Sequence, residues 1–138
     1  MTEIIRDKQK LETIAKALGY TQSWTKSYGW GSNNDARDVL AITRDQFGKM
    51  VSWNPDLDGG DLFKLTLVFG IHVTLDTKRN AAVATYTSLL TGEVITLIGD
   101  EFKKDDICWD FVVHVTIKAA FELAKEIIHK RENNPMVI

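Results

Sequence analysis

The chain has 138 residues, of which 44% are hydrophobic and 26% charged, a size and balance that suit one hydrophobic core and exclude a mainly disordered chain. The 17 basic and 19 acidic side chains leave a net charge of −2, so no net positive field exists to release counterions from a nucleic-acid backbone, and nucleic acid is a disfavoured partner. The single cysteine, Cys108, excludes an intrachain disulfide. No signal-like start and no apolar run near the roughly 20 residues of a bilayer crossing are found, and the expected setting is a reducing cytoplasm with no membrane partner.

Along residues 8–18, Leu11, Ile14, Ala15 and Leu18 follow the spacing of one helical face, and Gly19 supplies the left-handed residue that commonly ends a helix. Residues 20–38 are rich in Ser, Asn, Gly and Thr yet hold Trp24, Tyr28 and Trp30; they read as an ordered loop or irregular ribbon. Residues 39–43 and 49–53 read as two strands of a hairpin around a turn at Asp45-Gln46-Phe47-Gly48.

The strongest turn cluster is Asn54-Pro55-Asp56-Leu57-Asp58-Gly59-Gly60-Asp61, in which proline fixes one torsion and the paired glycines accept positive φ. Asp58 or Asp61 then caps a short helix reaching Phe69, with Leu62, Leu65, Val68 and Phe69 inward and Gly70 at its end. Its acidic spacing has some likeness to a calcium loop, but the glycine is misplaced and Leu67 stands where a bidentate glutamate is needed, so a turn and helix cap are expected.

Three strands are predicted over residues 71–76, 82–89 and 93–98, joined by connections short enough for an antiparallel meander. The last element is a helix with one stripe formed by Trp109, Val113, Ile117, Ala120, Phe121, Ala124 and Ile128, widened by Cys108, Val112, Val115, Ala119, Leu123 and Ile127. Asp105 or Asp106 caps it, and the apolar Met136-Val137-Ile138 could dock. The fold class expected is α+β, a single domain in which a short antiparallel sheet packs with an N-terminal helix, a short middle helix and a long C-terminal helix.

No residue set dictates a reaction. His72, His114 and His129 share no zinc-like spacing with Cys108, so no metal or other cofactor is expected. Asp110 and His114 lie one helical turn apart without a visible nucleophile, and a solvent-facing pair is the expected outcome. The glycines lack the spacing of a phosphate-binding loop. Candidate binding residues are the aromatics Trp24, Tyr28, Trp30 and Trp53, which cover the sheet or form a surface, with Arg37 and Arg44 available to meet an anion.

Residues 11–20 (Leu-Glu-Thr-Ile-Ala-Lys-Ala-Leu-Gly-Tyr), 48–56 (Gly-Lys-Met-Val-Ser-Trp-Asn-Pro-Asp) and 119–124 (Ala-Ala-Phe-Glu-Leu-Ala) together resemble the small phage ABA-sandwich and NinX-like proteins. The closing helix departs from that pattern by lacking a small-residue Ile-Cys-x-Ala-type run at its centre. The resemblance implies a layered helix-sheet-helix fold and a non-enzymatic phage or prophage accessory protein, with no catalytic residues to carry over. The function expected is binding of a host protein in the bacterial cytosol, one such role being inhibition of a defence system. The alternative is a binder of a small, nucleotide-like ligand, and exposed sheet edges are compatible with a homodimer.

Overall fold

The computed structural model describes residues 8–28, 36–43, 50–103 and 108–133. Its elements run α1 (Lys8–Ala17), β1 (Thr21–Tyr28), β2 (Ala36–Thr43), β3 (Met50–Ser52), α2 (Gly59–Phe69), β4 (His72–Asp76), β5 (Ala81–Thr87), β6 (Val94–Ile98) and α3 (Cys108–Asn133). The class is α+β, as expected. The strands form two antiparallel sheets of three strands each, in the orders β1-β2-β3 and β4-β5-β6. Among the described residues no helix is long and apolar enough to cross a membrane.

The second sheet is the meander read from the sequence, whereas the first enlarges the predicted hairpin. Within those predicted strands residues 41–43 and 50–52 do pair, with Ala41 opposite Ser52 and Thr43 opposite Met50, but a full-length third strand lies beside them where a loop was expected. β1 pairs with β2 from Thr21 opposite Thr43 to Tyr28 opposite Ala36. Thr21, Thr25, Trp24 and Tyr28 are residues that favour a pleated surface, and no Gly or Pro interrupts residues 21–28. The serines and glycines that suggested a loop mostly lie beyond that run. The predicted turn at residues 45–48, the caps Asp105 and Asp106 and the tail at residues 134–138 fall outside the described residues.

Helix ends follow the local sequence. At the end of α1, Gly19 takes φ 79°, and the Tyr20 and Gly19 amides donate to the Ala15 and Lys16 carbonyls at 2.9 and 3.0 Å. This is the paired bond pattern of a left-handed stop. Asp58 begins α2, where its Oδ1 accepts the Asp61 amide at 3.0 Å. Asp61 in turn accepts the Asn54 amide through Oδ2 at 2.8 Å, so this acidic run is spent on a turn and a cap. Gly70 ends α2 in the left-handed region at φ 66°.

The core forms around α3. Val115, Thr116, Ile117, Ala119, Ala120, Leu123 and Ala124 are its buried residues, an arc too wide for one neighbour at 3.6 residues per turn. It is shared among α1, β5 and, nearer the start of α3, α2. Leu11, Ile14 and Ala15 of α1 and Ala82, Ala84 and Tyr86 of β5 complete the cluster. Two expectations for these helices, the inward placing of the first turn of α3 and of Val68, are corrected. Cys108 and Trp109 are exposed; the fully buried residues of α3 begin only at Val115. Thr116 is fully buried, its Oγ1 donating to the Val112 carbonyl at 2.6 Å, which removes the cost of hiding a hydroxyl. Val68 faces water, since α2 buries only the narrow Leu62 and Leu65 line.

A carboxylate from α3 holds the β5–β6 connection. Glu126 accepts the Ser88 hydroxyl through Oε1 at 2.6 Å and the Leu89 amide through Oε2 at 3.0 Å, and Ser88 is itself buried. Glu126→Ala is expected to cost about 1.5–3 kcal/mol, the usual worth of hydrogen bonds to a charged group, with a matching fall in thermal midpoint as the check. Burial first, then the carboxylates of Glu122 and Glu126, push the neighbouring Tyr86 phenol above its ordinary value of 10.0. The folded chain therefore keeps this proton longer than the unfolded chain does. Its contribution to stability is complete below about pH 10 and is lost as pH rises through the raised value. Alkaline absorbance titration should show a late tyrosine component that Tyr86→Phe removes.

Candidate binding groove

Of the predicted binding set, Trp24 and Trp53 are the two whose side chains fall among the described residues. Trp24 stands on β1 opposite Leu40 and is half-buried, its Nε1 donating to Glu12 Oε1 at 2.8 Å while Lys8 Nζ sits 4.9 Å from the ring centroid. The indole thus joins α1 to the first sheet. Trp53 is only 5% exposed and meets Tyr20 edge-on, with ring centroids 5.9 Å apart. It is a core residue. Tyr28 and Arg37 occupy paired positions, opposite Ala36 and Ser27 respectively, while Trp30 and Arg44 lie outside the described residues.

A concavity of the described residues lies elsewhere, a groove of about 450 Å³ between α2, the head of β4 and the first half of α3. It is lined by Leu62, Phe63, Thr66 and Leu67 of α2, by Ile71, His72 and Val73, and by Trp109, Val112 and Thr116 of α3. Its origin is the composition of α2. In the run Leu62-Phe63-Lys64-Leu65-Thr66-Leu67-Val68-Phe69 apolar residues fall all around the helix, but α3 can cover only one side. Phe63 and Leu67, one turn apart, consequently remain 63% and 67% exposed. Trp109 adds a third large surface at 49%, its ring lying where a Cβ placed on Gly59 would come within 3.5 Å of Cζ2.

The groove's polar groups are largely committed to its own walls. The Thr66 hydroxyl donates to the Phe63 carbonyl at 2.6 Å, and the Thr116 hydroxyl is held as described above. No Lys, Arg, Asp, Glu or Cys belongs to the lining, and His72 is its one titratable side chain. Such a site offers dispersion and desolvation to an apolar group. Asp110 and His114 are both exposed on α3, and among the described residues no group of three or more His, Cys, Asp or Glu is placed to hold a metal ion.

Comparison with known proteins adds no second source of inference: no family model matches the chain, and no curated protein or solved structure gives a significant match.

Because Phe63 and Leu67 already face water for most of their area, replacing both with Asp should change folding stability by no more than about 0.5 kcal/mol each. Parallel denaturant curves check this. A loss of several kcal/mol would place the two side chains in the core instead.

Proposed function

We propose that this chain is a non-enzymatic accessory protein that works by binding another protein, with the α2–α3 groove as its contact. The observation that carries the proposal is the clustering of Phe63, Leu67 and Trp109, three large side chains between 49% and 67% exposed, around one concave site. Grouped exposed apolar side chains are the usual mark of an interaction surface, and aromatic anchors in such sites carry much of the binding energy. The resemblance to small phage ABA-sandwich and NinX-like proteins supplies the setting: a phage or prophage product that binds a host protein in the bacterial cytosol, with components of defence systems as one target class.

The nucleotide-like ligand draws less support from the same site. Phosphates need cations or free amides at a helix start. No Lys or Arg lines the groove, and at the start of α2 the Asp61 amide is already taken by the Asp58 carboxylate. A negative charge there opposes a second anion.

The test is a quantitative pull-down from bacterial lysate with the parent chain and the Phe63→Asp, Leu67→Asp double variant side by side. A specific protein retained by the parent and reduced at least tenfold on the folded double variant is the expected result. An identical retained set on both would remove the groove from the function.

A further inference from the structure

The groove has a property that its apolar lining does not reveal: it is bordered by the edge of a β-sheet, with which no other strand pairs among the described residues. β4 is the outer strand of the order β4-β5-β6, and the direction of its backbone groups follows from the bonds of its neighbours. The Gly99 amide donates to the Ala82 carbonyl, and the Ser88 amide to the Glu93 carbonyl, each at 2.8 Å. Even-numbered residues of β5 therefore turn their backbone groups toward β6, and the odd-numbered residues turn theirs toward β4. Since His72 stands opposite Thr85 and Thr74 opposite Val83, His72 and Thr74 bond inward. The N–H and C=O of Val73 and Leu75 point away from the sheet, on the side where Val73 borders the groove.

We propose that the groove receives an extended polypeptide segment of a partner protein, which adds to β4 as a fourth strand through the backbone groups of Val73 and Leu75. This rests on the groove being the contact site. A strand has alternating donors and acceptors at the spacing an edge presents, and no helix or compact small molecule has both. Sheet growth by one strand, roughly 4.8 Å, sends alternate side chains of the incoming segment toward the α3 face, because Val73 shares its side of the sheet with the buried Ala84. Trp109, Val112, Phe63 and Leu67 line the groove there. The segment should thus carry apolar residues at every second position.

Charge fixes a second feature of the partner. Asp58 adjoins Gly59 and Asp110 adjoins Trp109 in the chain, and both of those neighbours line the groove. Both carboxylates are exposed, and among the described residues neither has a cationic partner. Lys64 is exposed on α2 but does not line the groove. A Lys or Arg at one end of the segment meets this acidic rim, which favours encounter and orientation more than affinity.

A random dodecapeptide display library panned on the full chain tests the proposal. Enriched sequences should alternate apolar and polar residues at period two, with a Lys or Arg toward one end. Enrichment at helical spacing, or no enrichment, overturns the strand-addition proposal; in either case the groove's own role stands or falls by the pull-down with the Phe63→Asp, Leu67→Asp variant.

The best enriched peptide then reports on the backbone. Leu75→Pro removes a donor that makes no bond within the sheet, while Leu75 is itself half exposed and outside the groove lining. It should weaken the peptide at least tenfold with the melting temperature nearly unchanged. Should the variant be unstable, the same peptide N-methylated at alternate amides is compared with the parent chain, and one of the two methylation frames should lose at least tenfold. Equal binding by folded Leu75→Pro, or by both methylation frames, overturns strand addition.

Discussion

The close contact of α3 with α1 and β5 determines where everything else in the molecule can go. Ala119, Ala120 and Ala124 are fully buried, and small side chains at these positions let neighbouring backbones approach, while Val115 and Leu123 fill the space between. Enlarging one of these alanines forces strain into a dense interior, and shrinking Leu123 leaves a cavity; changes of either kind usually cost from one to a few kcal/mol. Polar contacts reinforce the same seam, including Arg131 Nη1 donating to the Lys16 carbonyl at 3.3 Å and the Glu126 clamp on the β5–β6 connection.

That arrangement leaves α2 half covered. The helix is short, its start is fixed by Asp58 and Asp61 and its end by Gly70, and it meets α3 through Leu62 and Leu65. Phe69 packs partly against the core, while Phe63, Leu67 and Val68 stay mostly exposed, because α3's middle is already occupied by α1 and the sheet. The groove is therefore the space between a helix that cannot turn its outer face inward and a strand edge with unsatisfied directionality. Both features suit the proposed occupant, a length of polypeptide.

Much of this fold was legible in the sequence because periodicity and end signals agreed. The three helices, the left-handed stops at Gly19 and Gly70, the 54–61 turn and the β4-β5-β6 meander all carry local chemistry that tertiary packing did not override. β1 was hidden by composition: its Ser, Thr, Gln and Lys resemble loop residues, and only the spacing of Thr21, Trp24, Thr25 and Tyr28 hinted otherwise. Trp109 was placed inward because it continues α3's stripe, but a stripe says nothing about how far the neighbouring layers extend. The groove itself was missed since Phe63, Val73 and Trp109 belong to different elements. One signal was present: α2 is apolar on all sides, and a short helix of that kind in a small chain must either find a second neighbour or expose a face.

Amide hydrogen exchange followed residue by residue on the full chain tests the central claim, that α3 is the covered hub and β4 an open edge. The account predicts the slowest exchange at the middle of α3, around residues 115–124, and an alternation on β4 in which His72 and Thr74 are protected while Val73 and Leu75 exchange readily. Rapid exchange through the middle of α3, or equal protection at all four β4 amides, would contradict it.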